Sequence, residues 1–172
     1  MKNTILLKTT FVILMVFMTF SLSVFSQTFS ENVIELKIKG VSLFTSYSIV
    51  IRQLGKPLQR KQGKSFYSEC SESRETTLTL RYSGLVIGLS GDGKGRNFEV
   101  HSIEVTSSKW SAASGISVGA SLKDVLAKFG QPVRKENESG LQRFYYYHGD
   151  GGAAFFFRAN KLVKIALGYN SC

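Results

Sequence analysis

Cysteine, proline, histidine and acidic residues are all scarce in this chain of 172 residues. Two cysteines allow a single disulfide bond, which excludes a fold held by several disulfides. Two histidines leave little material for a metal centre or for acid–base catalysis, because histidine is a frequent participant in both. The 12 acidic residues are outnumbered by 22 basic ones, so the formal charge is +10 at pH 7.

Long hydrophobic runs are absent as well, since the longest apolar segment extends only from Phe11 to Phe25. A membrane-spanning helix needs about 20 predominantly apolar residues, and this segment is diluted by Thr19, Ser21 and Ser23. Basic residues precede the segment and small polar residues follow it, which is the layout of a secretory signal peptide. We therefore predict a cleaved signal over residues 1–26 rather than an uncleaved anchor, and no membrane-spanning segment after it.

Cleavage near Ser26 would export the rest of the chain to the periplasm or outside the cell. The remaining 146 of 172 residues suit one compact unit or two closely packed small ones. Loss of Lys2 and Lys8 leaves 20 basic and 12 acidic residues, a formal charge of +8. Outside the cytoplasm this charge favours anionic lipid, cell-wall polymer, lipopolysaccharide or an acidic protein over nucleic acid as a partner.

Both cysteines, Cys70 and Cys172, belong to the exported part, where oxidising conditions favour their pairing. Such a disulfide would close a loop of about 100 residues, for which chain-entropy arguments give roughly 4–5 kcal/mol. A reactive thiol is the alternative. Neither cysteine lies in a CxxC pair or beside a histidine, so we predict the structural disulfide.

An internal repeat organises the exported part, with a spacing of 75 residues between its copies. Five residues of the first copy recur identically in the second: Ser42, Ser46, Val50, Gly55 and Pro57 match Ser117, Ser121, Val125, Gly130 and Pro132. Each copy predicts a helix of about nine residues that starts after a serine cap and ends at a glycine followed by proline. Asp124 completes a capping box in the second copy only.

Alternating apolar and polar residues after each helix predict strands separated by glycine-rich or polar turns. The predicted strands lie near residues 65–71, 75–82, 84–90, 98–107, 141–148, 153–158 and 161–169, with a further strand over residues 32–39. The predicted fold class is α+β, with two tandem modules that each pack a short helical segment on an antiparallel sheet of three to four strands. The modules cover residues 27–107 and 115–172, and a linker over residues 108–114 contains Trp110.

The segment GISVGASLKDVLAKFGQP, residues 115–132, is followed by aromatic strands that end in NKLVKI, residues 160–165. This pattern resembles the modules of the β-lactamase inhibitor protein family and the related SmpA/OmlA module of outer-membrane assembly lipoproteins. Residues 40–57 resemble them more distantly, and tandem modules are typical of the inhibitors. The resemblance implies a sheet whose concave face grips a partner protein.

The chain also departs from these families. The inhibitors carry a disulfide inside each module, whereas this chain has one possible pair in total. Their inhibitory hairpin has no residue-by-residue match here, so no binding residue is transferred. The first cysteine is Cys70, which leaves no cysteine for a lipid anchor at the cleavage site and argues against the outer-membrane assembly role.

Catalytic motifs are sparse in the chain. His101 falls within a predicted strand, and His148 falls beside a turn. The glycine-rich residues 91–95 lack the spacing and the trailing Ser or Thr of a P-loop. Three carboxylates fall in a predicted polar turn: Glu69, Glu72 and Glu75. We predict no enzyme activity, no cofactor and no metal; a hydrolase would require a histidine to approach a carboxylate in a pocket.

Aromatic residues on successive strand positions are the strongest indication of a binding surface. Phe144 and Tyr146 are predicted to face the core, which places the alternate side chains on the opposite face of the sheet. The predicted partner surface comprises Tyr145, Tyr147, Phe156, Arg143, Arg158 and Trp110. Trp110 lies in the connection between the modules, where it is also predicted to pack at their seam. The alternative is that a second layer of the protein covers these aromatics.

The sequence therefore predicts an exported, monomeric, non-enzymatic protein that binds, and in one version inhibits, another protein of the envelope or the extracellular space. The alternative prediction is an envelope-maintenance protein that binds cell-wall polymer or lipid through its basic surface.

Overall fold

The computed structural model describes residues 36–112, 114–148 and 151–169, without the side chains of Tyr147, His148 and Tyr169. The predicted signal peptide with its cleavage site near Ser26 lies outside these ranges, as do Cys172 and residues 149–150 of a predicted turn. No helix within the described ranges is long and apolar enough to cross a membrane.

Two short helices and nine strands make up the described part of the chain. The helices are α1 (Tyr47–Leu54) and α2 (Leu122–Phe129). The strands are β1 (Gln59–Gln62), β2 (Phe66–Ser68), β3 (Ser73–Tyr82), β4 (Leu85–Asp92), β5 (Glu99–Val105), β6 (Arg134–Glu138), β7 (Leu141–His148), β8 (Gly151–Arg158) and β9 (Lys161–Tyr169).

The predicted fold class of two tandem α+β modules is wrong, because the nine strands form a single antiparallel sheet. Their order is β1-β3-β4-β5-β9-β8-β7-β6, and β2 also pairs with β3. At the centre, β5 pairs with β9, from Val105 opposite Ile165 to Ser102 opposite Gly168. This pairing satisfies backbone groups that two separate sheets would leave exposed at their edges.

Within this one sheet, the hydrogen bonds around α1 recur around α2 at the 75-residue spacing. At the start of the helices, the bond from Tyr47 N to Phe98 O (2.9 Å) corresponds to that from Leu122 N to Asn160 O (3.0 Å). After the helices, the bond from Leu58 N to Arg81 O (2.8 Å) corresponds to that from Val133 N to Tyr145 O (2.9 Å). Two buried tyrosines also correspond: the Tyr82 hydroxyl donates to Gly55 O at 3.1 Å, and the Tyr146 hydroxyl donates to Gly130 O at 3.0 Å. Each tyrosine ties a strand to the residue that ends a helix.

The helix ends match the sequence signals. Ser121 and Asp124 form the predicted capping box at the start of α2, whereas the Ser46 side chain makes no cap hydrogen bond at α1. Gly55 and Gly130 end the two helices with φ values of 78° and 74°. Glycine adopts positive φ without the steric cost that a side chain brings, so the helices stop at these residues.

Both outermost strands of the sheet, β1 and β6, were absent from the sequence-based prediction. Their sequences, QRKQ and RKENE, are polar and mostly exposed. Edge strands of this kind carry charges that discourage pairing with other chains. The predicted strand over residues 32–39 is not formed in the part that is described, where Ile38 makes isolated bridges to Val41 and Ala112.

The core lies between the two helices and one face of the sheet. Val50 of α1 and Val125 and Phe129 of α2 are buried there. The alternate strand residues that face them are also buried, including Leu78, Leu80, Ile87, Leu89, Phe144, Tyr146, Phe155, Phe157 and Ile165. Neither helix covers the opposite face of the sheet, which we call the open face.

Candidate functional site

Strand alternation places the predicted aromatic and basic residues of β7 and β8 on the open face. Phe144 and Tyr146 are buried on the helix side, while Arg143 and Tyr145 are half-buried on the other side. In β8, Phe155 and Phe157 are fully buried, and Phe156 between them is half-buried. The predicted division of these side chains between two faces is confirmed.

Phe156 is flanked by two cations on the neighbouring strands. It lies opposite Arg143 of β7 and opposite Lys164 of β9. The Arg143 guanidinium is 5.9 Å from the ring centroid, and the Lys164 ammonium is 4.3 Å from it. Cations over an aromatic face are attracted by the ring quadrupole, so the three side chains hold one another in place.

Carboxylates at the border of this cluster position its cations. Arg143 donates to Glu138 at 2.9 Å and lies 3.7 Å from Glu136. Lys164 donates to Glu104 of β5 at 3.2 Å. Such partly exposed ion pairs contribute little to stability, but they restrict the rotamers of the long cationic side chains.

Tyr145 extends the cluster towards the edge strand β6. Its hydroxyl donates to Glu136 at 2.7 Å, and the Arg134 guanidinium lies 5.6 Å from its ring. Arg134 also forms an ion pair with Glu136. The hydrogen bond from Tyr145 lowers the pKa of the Glu136 carboxyl and raises the pKa of the Tyr145 phenol. The carboxylate is therefore ionised, and the phenol is protonated, across the physiological range.

Small residues lie beside this cluster at the centre of the open face. Gly152 and Ala154 of β8 are paired with Gly168 and Ala166 of β9. A Cβ atom built at Gly168 would meet nothing within 4 Å. These small residues follow one another along the same two strands as Phe156 and Lys164, so the face is low on one side of that pair.

Three of the predicted binding residues thus come together on the open face: Arg143, Tyr145 and Phe156. Arg158 is exposed at the end of β8, opposite Leu141 and Lys161. Tyr147 lies opposite Gly152 in the β7–β8 pairing, and its side chain is outside the described residues. We call Arg143, Tyr145, Phe156 and Lys164 the aromatic–basic cluster. Lys164 was missing from the prediction because its position depends on the β8–β9 register.

Trp110 does not join this cluster, and its placement in the predicted partner surface is wrong. Its side chain is 4% exposed and belongs to the core. The indole N–H donates to Ser83 O at 2.7 Å, and the ring lies 5.9 Å from that of Tyr82. A satisfied, buried indole closes the core beside the connection between the two halves of the chain and cannot contact a partner.

The predicted disulfide involves Cys172, which lies outside the described residues, so that pairing stays a prediction. Cys70 itself is exposed in the turn between β2 and β3.

A second candidate site was not predicted: a cleft at the other end of the open face, where Glu75, Ser90 and His101 meet. Glu75 belongs to β3 rather than to a polar turn, and it accepts hydrogen bonds from Ser71 and Ser90, each at 2.5 Å. These bonds hold the pKa of its carboxyl below the ordinary value. Three different strands supply these residues, so no sequence spacing could have indicated the cleft.

His101 reaches this cleft because of a bulge in β5. Val100 is opposite Leu89 and Ser102 is opposite Gly88, which leaves His101 as the extra residue. A bulge of this kind re-aims a side chain, and a Cβ atom at Gly88 would lie only 2.9 Å from His101 Nε2. Burial lowers the pKa of the imidazole, although the Glu75 carboxylate opposes that shift.

The cleft brings a histidine near a carboxylate, as a hydrolase would require, but its hydrogen bonds do not form a catalytic relay. Both serine hydroxyls donate to Glu75, whereas an activated serine nucleophile needs a hydrogen bond to a base such as histidine. No group of three or more His, Cys, Asp or Glu side chains in the described ranges could hold a metal ion.

No model of a known protein family matches the chain, and no curated protein sequence matches it. A cysteine-rich secretory protein from Staphylococcus aureus aligns with TM-score 0.50 and 11% identity over 78% of this chain and 47% of that chain. An SCP-domain extracellular protein from Bacillus anthracis gives TM-score 0.49 and 10% identity over 75% and 44%. The uncharacterized protein YfeY from Escherichia coli gives TM-score 0.43 and 13% identity over 78% and 97%.

The match to the Staphylococcus aureus protein shows a shared fold alone. The chain spans less than half the length of that protein and of the Bacillus anthracis protein. None of the three is a β-lactamase inhibitor protein, so the resemblance to that family stays a prediction.

Proposed function

We propose that this chain is an exported, non-enzymatic binding protein whose aromatic–basic cluster contacts another protein of the cell envelope or the extracellular space. The observation that carries the proposal is the position of Phe156 between Arg143 and Lys164 on a sheet face that neither helix covers. Aromatic and arginine side chains are the residues that most often dominate binding energy at protein interfaces.

Preorganisation of the cluster supports a role in recognition. Arg143 is held by Glu136 and Glu138, and Lys164 is held by Glu104. Side chains already fixed in one rotamer lose less entropy when a partner binds. The Arg143 side chain is 33% exposed and the Lys164 side chain 31%, so acidic groups of a partner could still reach both.

Export is supported by the amino-terminal pattern of basic residues, an apolar run and a small-residue cleavage site. The fold is shared with a protein that is described as secretory. Inhibition of an enzyme would follow if the partner used the contacted surface for catalysis, as the resemblance to the β-lactamase inhibitor proteins implies.

Capture of partners from envelope and culture-supernatant extracts of the source organism tests this function. The exported chain would be compared with Phe156→Ala and Arg143→Ala, and with Tyr67→Ala as a control in β2, where Tyr67 is 62% exposed. We expect a protein that the unaltered chain and the control retain and both cluster variants lose. Equal retention by all four chains would contradict the proposal.

Binding to cell-wall polymer or anionic lipid is the alternative outcome, and salt distinguishes it. A polyanion held by scattered surface cations would be released steeply with rising ionic strength. A protein partner held by Phe156 and Tyr145 would depend less on salt, because aromatic burial is not screened. Polymer or vesicle binding that survives Phe156→Ala would favour the alternative.

A further inference from the structure

The cleft beside β2 and β5 is the second place where the open face carries specific chemistry. Its volume is about 460 Å³, and its described lining includes Phe44, Phe66, Glu75, Ser90, Glu99 and His101. We call it the β2–β5 cleft. It lies on strands β2 to β5, whereas the aromatic–basic cluster lies on β7, β8 and β9.

The charge of the cleft is opposite to that of the chain. Two carboxylates, Glu75 and Glu99, line it, and no lysine or arginine is among the lining residues that the structure describes. The chain as a whole has 22 basic and 12 acidic residues. An anionic ligand would therefore be repelled locally, whereas a cation would be attracted.

Glu75 is fixed and ionised in a manner suited to accepting further hydrogen bonds. Ser71 donates to one carboxylate oxygen and Ser90 donates to the other, each at 2.5 Å. A further side-chain hydrogen bond from Ser68 also lowers the pKa of Glu75. A carboxylate offers about four lone-pair positions, so about one acceptor position remains for a ligand. The two serines thereby hold the carboxylate in a defined orientation without neutralising its charge.

Two aromatic side chains form part of the wall of the cleft, which is otherwise lined mainly by polar residues. Phe66 lies opposite Glu75 in the β2–β3 pairing and is 44% exposed, and Phe44 is 57% exposed. Aromatic faces attract cations, and they also pack against the apolar carbon atoms that carry a cationic group. The pocket thus combines a fixed negative charge with surfaces suited to an apolar or planar organic group.

We propose that the β2–β5 cleft binds an organic cation that carries N–H donors, namely an amidinium, guanidinium or ammonium group on an apolar stem. The charged group would donate to Glu75, and the stem would pack against Phe66 and Phe44. A cationic N–H donor on an apolar stem occurs both in free small molecules and in the arginine and lysine side chains of peptides.

Titration with benzamidine and with its uncharged analogue benzamide tests the proposal on the unaltered chain. The ring signals of His101, assigned with the variant His101→Asn, report binding in two-dimensional NMR spectra. We expect a saturable shift with benzamidine, and affinity for benzamide lower by about tenfold or more, since a charge-assisted hydrogen bond is lost. Equal affinity for both compounds, or no saturable shift with benzamidine, would overturn the proposal.

Two variants locate the site. Glu75→Gln preserves size and should lower benzamidine affinity by about tenfold or more, whereas Glu138→Gln removes a carboxylate of the other half of the sheet and should leave it unchanged. Equal loss in both variants would contradict a specific site. If Glu75→Gln fails to fold, the comparison of benzamidine with benzamide still decides the question.

A capped Gly-Arg-Gly peptide identifies the source of the cation. Binding at least about tenfold tighter than that of benzamidine would indicate a peptide side chain as the natural occupant, because backbone contacts would add to the charged one. Weaker binding would indicate a free small molecule. This site does not depend on the aromatic–basic cluster, so either proposal can fail without the other.

Discussion

Removal of one hydroxyl from each of two corresponding tyrosines tests the structural equivalence of the two halves of the sheet. Tyr146 donates to Gly130 O at 3.0 Å, and Tyr82 donates to Gly55 O at 3.1 Å. Burial raises the pKa of Tyr146 to about 12 and also raises that of Tyr82. Both phenols are therefore protonated donors at neutral pH.

The free energy of unfolding that each Tyr→Phe change removes depends on whether water can reach the acceptor carbonyl group. Loss of a buried hydrogen bond costs roughly 0.5–1.5 kcal/mol, and more if an acceptor is left without water. Gly55 and Gly130 are exposed residues, so water can reach their carbonyl groups after the change. We therefore expect Tyr82→Phe and Tyr146→Phe each to lower the free energy of unfolding by about 1 kcal/mol.

Urea denaturation measures both changes. The midpoint should fall in each variant while the slope m stays constant, because the surface exposed on unfolding is unchanged. The double variant should lose the sum of the two single losses, since the pairs share no partner. A loss well above 1 kcal/mol in one variant with none in the other would refute the equivalence.

Two further predictions concern the helix caps of the two copies and the histidine of the cleft. Ser121→Ala should destabilise the protein by about 1 kcal/mol through loss of the capping box. Ser46→Ala should destabilise it much less, because the Ser46 side chain makes no cap hydrogen bond. Thermal denaturation measures both variants, and equal losses of stability would contradict the assigned caps. Burial lowers the pKa of His101 in the folded protein. As pH falls below the ordinary histidine pKa of about 6.5, the unfolded chain therefore binds more protons than the folded chain. The free energy of unfolding should therefore fall as pH falls below about 6.5. The urea midpoints of His101→Asn should decline less steeply over the same pH range, and parallel curves would contradict a half-buried imidazole with a lowered pKa.

The elements that could be predicted from the sequence are those with local signals. The helices could be predicted because serine caps, an apolar stripe and the terminal Gly55 and Gly130 all fall within a dozen residues. Strands β3, β4, β7, β8 and β9 could be predicted because apolar residues alternate along them. The division of Phe155, Phe156 and Phe157 between two faces follows from the same period.

The elements that sequence reasoning missed depend on contacts between distant residues. Alternation says which face of β5 and β9 is buried but not that these strands are neighbours, so two modules were predicted where one sheet exists. The edge strands β1 and β6 carry no apolar period. Trp110 was assigned both to the seam between the modules and to the partner surface, because a sequence gives no measure of burial for a single aromatic in a connection; its burial agrees with the first assignment.

The candidate sites show the same limit. Arg143, Tyr145 and Phe156 could be placed on one face by counting residues along β7 and β8. Lys164 joins them only through the β8–β9 register. His101 lines the same cleft as Glu75 where a bulge in β5 brings its imidazole close to Gly88 of β4.

Photo-crosslinking in the producing cells tests the central functional proposal most directly. A photoreactive benzoylphenylalanine in place of Phe156 would be compared with the same group in place of Tyr67. The proposal predicts a discrete, protease-sensitive adduct from position 156 and none from position 67. Absence of an adduct at position 156, or identical adducts from both positions, would contradict a role for the open face in binding another protein.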